Sequence, residues 1–210
     1  DAFNMLGDGE GNIWVANHNN GIGKFNIKTE QVTHYRHDKN NPASLVHDTT
    51  HILFFDRQHY LWIGTHKGLS RMDTKKETFT NYVHNPNDSF SLGNSHINSL
   101  AQDKNDRLWI GTDNDMYALD IKTGKFQRYE ISSGQILNIC SDAAGKIWAT
   151  CGGGLFLLNE AKNKFKKFTT QVNTYLDWCV KTFPPYFLFF FKVNKTEKFS
   201  PISFPSWHHL

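Results

Sequence analysis

Apolar positions along this chain fall in short runs, not in the long 3.6-residue stripe of an amphipathic helix. Between residues 97 and 129 there are four such runs: Ile97–Ala101, Leu108–Gly111, Met116–Leu119 and Phe126–Tyr129. Turn-forming Asp, Asn, Gly and Lys residues separate them. The runs are too short for helices and favour β-branched and aromatic side chains, so they predict four strands, A to D.

This unit recurs. Four segments align on Trp14, Trp62, Trp109 and Trp148, spaced by 48, 47 and 39 residues. Six positions before each tryptophan stands an aspartate: Asp8, Asp56, Asp103 and Asp142. Ile13, Leu61, Leu108 and Ile147 precede the tryptophans directly, and small residues follow two positions on: Ala16, Gly64, Gly111 and Thr150. About ten positions after each tryptophan comes an apolar residue followed by Asn or Asp: Phe25-Asn26, Met72-Asp73, Leu119-Asp120 and Leu158-Asn159. A paired apolar signal closes each unit: Val32…Tyr35, Phe79…Tyr82, Phe126…Tyr129 and Phe165…Phe168. The first unit carries one extra residue after its tryptophan. A period of about 40–50 residues with four strands is the signature of a β-propeller blade. The fold class is therefore all-β: four recognisable blades of four antiparallel strands, across residues 1–168.

The A–B turn reads Asp-x-x-Gly at Asp8–Gly11 and Asp142–Gly145, while His59 and Asp106 replace that glycine in units two and three. Asp can bond the backbone two residues on, and Gly accepts the left-handed conformation. His and Asp are among the non-glycine residues enriched in that region, so one shared turn is expected. The tryptophans are expected to wedge between neighbouring blades as core.

The chain has 210 residues and a net charge of +3, from 23 basic and 20 acidic side chains. That balance does not suggest a dedicated nucleic-acid binder. Cys140, Cys151 and Cys179 cannot all pair within one chain and lack zinc-knuckle or CxxC spacing, so no disulfide framework is expected. The longest oily run, Tyr186–Phe191, is far short of the about 18–20 residues of a membrane span. The N-terminus lacks a signal-peptide pattern and starts mid-motif at Asp1, which reads as a piece of a longer protein.

The repeated residues resemble the two-component-regulator propeller repeat, D-x-x-G-x-[IL]-W-[IV]-[GA]-[TN]…G-[LI]-x-x-[FM]-[DN]…F-x-x-[YF]. Asp56–Thr65 followed by Gly68–Asp73 is a near copy, and the linkers Asn41-Pro42-Ala43-Ser44-Leu45 and Asn85-Pro86 through Ser91-Leu92 match the family's Asn-Pro-x-Ser-Leu connector. The resemblance implies the extracytoplasmic, periplasmic sensor region of a bacterial hybrid two-component histidine kinase. In that family two seven-bladed propellers usually precede a β-sandwich, a membrane span and the kinase, and many members detect oligosaccharides. Four blades would then be a fragment of a larger, seven-bladed ring. An open arc leaves two terminal blades without neighbours, so a curved array of marginal stability is expected.

Composition changes after Phe168. No glycine follows it, whereas four of six prolines and seven of 17 phenylalanines lie in 169–210. This tail reads as a degenerate fifth blade, a foreign or frameshifted end, or a segment closing an open edge.

In an up-and-down blade the A–B and C–D turns share one face, and the B–C turns and D–A linkers share the other. The second face carries the variable polar sequences where recognition concentrates. Candidate ligand-binding residues there are Asn17, His18, Asn19, Asn20, Arg36, His37, His66, Lys67, Asp113, Asn114 and Asp115. No catalytic set can be assembled from spacing, and no cofactor or metal is expected. His47-Asp48-Thr49-Thr50-His51 imitates a zincin spacing, but in extended chain its two histidines lie about 13 Å apart. Cys151–Gly154 lacks the Lys-Ser/Thr of a phosphate loop, and Asp113–Asp115 lacks the Gly and Glu of an EF-hand.

The sequence thus points to a non-catalytic sensing module for an oligosaccharide or for pairing with a second copy, with no nucleic acid as partner and no membrane segment in this chain. The alternatives are a propeller enzyme of the streptogramin-lyase or sialidase type, and a structural scaffold. Arg57 and Arg107 fall in A–B turns, opposite the proposed binding face, which weighs against the arginine cluster of a sialidase.

Overall fold

The computed structural model describes residues 2–93, 96–131, 134–152 and 154–168. The readings placed on 169–210, including Cys179, and on Gly153 lie outside the described residues. Among the described residues, sixteen strands form four sheets of four, each an antiparallel meander in chain order. Blade 1 is β1 (Ala2–Gly7), β2 (Asn12–Asn17), β3 (Ile22–Asn26) and β4 (Val32–Tyr35). Blade 2 is β5 (Thr50–Phe55), β6 (Leu61–Thr65), β7 (Gly68–Asp73) and β8 (Thr78–Tyr82). Blade 3 is β9 (Ile97–Gln102), β10 (Arg107–Thr112), β11 (Met116–Asp120) and β12 (Lys125–Tyr129). Blade 4 is β13 (Ile136–Ser141), β14 (Ile147–Cys151), β15 (Gly154–Asn159) and β16 (Lys164–Phe168). One 3-10 turn, Glu160–Lys162, is the sole helical element among the described residues. The all-β propeller reading holds.

The repeated aspartate does more than shape its own turn. Asp103 Oδ1 accepts the backbone N–H groups of Asn105 (2.8 Å) and Arg107 (3.0 Å). Its Oδ2 accepts Trp109 Nε1 at 2.9 Å and Arg107 Nε at 2.7 Å. Asp8, Asp56 and Asp142 receive the indole N–H of Trp14, Trp62 and Trp148 at 3.2, 2.7 and 2.9 Å. The six-residue spacing is thus the reach from the turn's first residue to the facing position on strand B. One carboxylate closes the turn and satisfies a tryptophan N–H that would otherwise be buried unpaired. The fourth turn residue is left-handed in every blade, with φ of 88° at Gly11, 63° at His59, 62° at Asp106 and 77° at Gly145. The substitutions in units two and three therefore preserve the turn, as expected. At the C–D turns, Asn26, Asp73 and Asp120 each accept backbone N–H groups two and three residues on, which explains the Asn or Asp after the third strand.

Packing between blades is equally repetitive. Among the described residues there are three cores, and each joins consecutive blades. Trp14, Ile22, Leu53 and Ile63 belong to the first, Trp62, Leu69, Leu100 and Ile110 to the second, and Trp109, Met116, Ile139 and Ala149 to the third. Within a blade the last-strand aromatic lies on the tryptophan, as in Trp14–Tyr35, Trp62–Tyr82, Trp109–Tyr129 and Trp148–Phe168, with ring centroids 5.7, 5.7, 5.0 and 5.3 Å apart. That tyrosine meets the next blade's phenylalanine edge-on: Tyr35–Phe79 at 6.2 Å, Tyr82–Phe126 at 5.7 Å and Tyr129–Phe165 at 6.4 Å. The paired apolar signal of the sequence is this relay. The small residue after the tryptophan has a steric cause: a Cβ on Gly64 would lie 2.6 Å from Ile97 Cγ2 of the next blade, and one on Gly111 2.6 Å from Ile136 Cγ2. Both arginines flagged in the A–B turns latch blades together, Arg57 to Asp106 at 2.7 Å and Arg107 to Glu160 at 2.9 Å.

The Asn-Pro-x-Ser-Leu linkers are self-closed loops. Ser44 Oγ accepts Asp38 N–H at 2.9 Å and donates to Asp38 O at 3.1 Å, and Ser91 repeats both bonds with Asn85 at 3.0 Å. Leu45 and Leu92 are fully buried as plugs in the first and second cores.

The first strands pack in series, β1 on β5, β5 on β9 and β9 on β13. Among the described residues no core joins blade 4 to blade 1. The end flanks differ accordingly: Trp14, Trp62 and Trp109 are fully buried, whereas Trp148 is half-buried and Met5 of β1 is 63% exposed.

Candidate functional site

Every first strand breaks register with its neighbour at the same place, between Ala2 and Asn4, Thr50 and Ile52, Ile97 and Ser99, and Ile136 and Asn138. The skipped residues are Phe3, His51, Asn98 and Leu137. Such a bulge re-aims a side chain that would otherwise alternate with the pleat. All four bulges lie at the end of strand A nearest the B–C turns.

Two other positions recur beside this bulged residue in the chain order of each blade junction. One is the first residue of the same blade's B–C turn, four positions after the tryptophan. The other is the last linker residue before the next blade's first strand. The junction of blades 1 and 2 holds Phe3, His18 and Thr49; that of blades 2 and 3 holds His51, His66 and His96; that of blades 3 and 4 holds Asn98, Asp113 and Gln135. The frame repeats while its chemistry changes.

At the first junction the Phe3 ring lies 5.4 Å from His18, and Thr49 Oγ1 donates to Asn19 Oδ1 at 2.6 Å. At the third, Asn98 Nδ2 and Gln135 Nε2 both donate to Asp113 Oδ1, at 2.9 and 3.0 Å. The middle junction is a compact imidazole cluster. Ring centroids are 4.0 Å apart for His51–His96, 4.0 Å for His66–His96 and 4.8 Å for His51–His66. One ring nitrogen of each lies within 4.8 Å of the other two. His96 Nδ1 stands 3.5 Å from Asp113 Oδ2. The Nε2 atoms of His51 and His96 are buried without a hydrogen-bond partner among the described residues. His66 is exposed, so the cluster opens to solvent through one ring. Burial, and then the neighbouring imidazoles His96, His66 and His18, push the His51 pKa down to about 4. Burial and His66 also lower that of His96. Neutral rings keep lone pairs free to act as acceptors or metal donors.

The sequence candidates divide. His18, Asn19, His66 and Asp113 belong to this row of junctions. Asn17, His37 and Asp115 are tied into the scaffold: Asn17 N–H donates to Thr50 Oγ1 at 2.9 Å, the His37 ring meets Leu45 O at 2.8 Å, and Asp115 pairs with Arg128 at 3.0 Å. Arg36, Lys67 and Asn114 are exposed on the same face, and Asn20 is half-buried in the B–C turn. His47 and His51 do not ligate together; His47 stacks on His66 at 6.1 Å instead. His51 and His96 were missed by sequence reasoning. The readable signal is registration on tryptophan: eleven positions before Trp62, four after it, and thirteen before Trp109.

Four consecutive four-stranded blades with this frame define a β-propeller module. Within it, residues 91–114 match the family model described as the two component regulator propeller, so the repeat recognised in the sequence is present. The module is similar to the extracellular domain of the hybrid two component system BT4673 from B. thetaiotaomicron, with a TM-score of 0.69 at 19% identity over 83% of this chain and 23% of that one. It is also similar to a streptogramin B lyase, with a TM-score of 0.64 at 15% identity over 82% of this chain and 55% of that one. A catalytically inactive virginiamycin B lyase from Staphylococcus aureus with quinupristin gives a TM-score of 0.65 at 16% identity, over 82% and 56% of the two chains. The chain spans about a quarter of the length of the BT4673 domain it matches. No curated protein matches its sequence.

Proposed function

We propose that the four blades are part of a larger, seven-bladed sensor propeller of a bacterial hybrid two-component system, outside the cytoplasm in the periplasm. In this reading the B–C/D–A face binds an oligosaccharide fragment without chemical turnover. The observation that carries it is the row of junctions: one backbone frame presents an aromatic, an imidazole and a carboxylate–amide triad side by side. A scaffold alone needs no such variation, whereas a polar ligand laid across the row meets different groups at each step. Asn20, Arg36, Lys67 and Asn114 extend the rim.

Isothermal titration of the intact ectodomain with a panel of glycan fragments tests the reading. Saturable binding is expected, and His18→Ala should weaken it about 5–30-fold, the scale of one or two lost hydrogen bonds at about 1 kcal/mol each. No binding across the panel removes the glycan reading. Turnover of a streptogramin or glycoside would place the chain with the propeller enzymes instead.

A further inference from the structure

We infer that His51, His66 and His96 form a three-imidazole site for a divalent first-row transition metal at the junction of blades 2 and 3. Three independent features converge there. The first is composition: three imidazole nitrogen donors suit Zn, Co, Ni or Cu, and the set contains no oxygen cage of the kind Mg or Ca requires. The second is geometry. Bonds of about 2.0–2.1 Å at tetrahedral angles place donor nitrogens about 3.4 Å apart. The donor atoms already lie within 4.8 Å of one another, at most about 1.4 Å beyond that spacing. The third is the surroundings. His96 Nδ1 lies 3.5 Å from the Asp113 carboxylate, which Asn98 and Gln135 hold from the other side. A carboxylate behind one ring nitrogen fixes the tautomer and turns the other nitrogen, as a lone-pair donor, toward a metal. That other nitrogen of His96, like Nε2 of His51, is buried and has no hydrogen-bond partner among the described residues. A buried polar atom left unpaired is costly, and a coordinated cation relieves the cost.

The three residues come from three separate places: the bulge of β5, the turn between β6 and β7, and the residue leading into β9. The other two junctions put Phe3, His18 and Thr49, or Asn98, Asp113 and Gln135, on the same frame. The imidazole trio is therefore a property of one junction and not of the repeat. Exposure of His66 leaves the outward coordination position to water or to an oxygen of a bound molecule. The metal would also tie blade 2 to blade 3, since His96 precedes the first strand of blade 3. This inference does not depend on the sugar reading.

The test is a titration of the untagged full-length chain with ZnCl2 by calorimetry, and with Co2+ by visible absorption. One equivalent should bind, and Co2+ should develop the d–d bands of a site with three nitrogen ligands. His66→Ala, a change at an exposed turn, should leave the circular dichroism spectrum intact and weaken binding by about 100-fold or more. His96→Ala should do the same, and Asp113→Asn should weaken it about 10–100-fold. His34→Ala, on β4 away from the cluster, should change nothing. Absence of saturable binding overturns the inference. So does binding whose affinity shifts less than about threefold in both His66→Ala and His96→Ala.

Discussion

Asp103→Ala is expected to lower unfolding stability by about 3 kcal/mol, near the upper range for a single side chain. The carboxylate accepts two backbone N–H groups, the Trp109 indole and the Arg107 guanidinium, and its side chain is only 1% exposed. Hydrogen bonds to a charged group contribute about 1.5–3 kcal/mol each when their loss strands a buried donor, although their sum is not additive. Arg107 keeps Glu160 as a second partner, which limits the loss. The pH dependence has a definite sign. Burial raises the Asp103 pKa, but the bonds from Trp109 and Arg107 outweigh it, and the group ends below its ordinary value. Its contribution is therefore present above the usual aspartate pKa of about 3.9 and disappears as pH falls through the lower folded value. Urea denaturation followed by tryptophan fluorescence from pH 7 down to pH 3 should show the gap between wild type and Asp103→Ala narrowing only at the acid end. A gap independent of pH would assign the loss to packing instead.

Trp109→Ala is expected to cost about 3–5 kcal/mol, the range for emptying a buried large aromatic site. Trp148→Ala should cost about 1–2 kcal/mol. The two tryptophans have the same aspartate partner geometry and the same aromatic on the last strand. They differ in burial. Trp109 is fully buried in the core shared by blades 3 and 4, while Trp148 is half-buried. Urea denaturation compares full with partial burial of the same aspartate-paired tryptophan. Equal losses would mean that the depth of burial contributes little and that contacts within the tryptophan's own sheet dominate.

These same residues show how far the sequence could be read. The tryptophan period, the aspartate six before it and the exchange of glycine for His59 or Asp106 are local signals. They specify turn and strand through backbone conformation, and the structure realises them at the expected positions. The small residue after tryptophan and the Phe…Tyr pair were visible as patterns, but their meaning was not. Gly64 is hemmed in by Ile52 of its own blade and Ile97 of the next, and Tyr82 lies between Trp62 of its own blade and Phe126 of the next, so half of each explanation lies on another blade. The histidine cluster was hidden for a related reason. His51 faces the cluster through a bulge, which strict alternation along a strand does not foresee. Its companions are 15 and 45 residues away in sequence and meet it only when blades stack. Linker residues such as His37 misled in the opposite direction: polar and on the variable face, they serve the loop's own hydrogen bonds.

All of this depends on each blade resting on the next through the aromatic relay, and a double-mutant cycle on Tyr82 and Phe126 addresses that contact most directly. The rings belong to different sheets and meet edge-on at 5.7 Å. Tyr82→Ala, Phe126→Ala and the double variant should show a coupling energy of about 0.5–1.5 kcal/mol, the range for such aromatic pairs. Losses that add to within about 0.3 kcal/mol would contradict the stacked-blade arrangement.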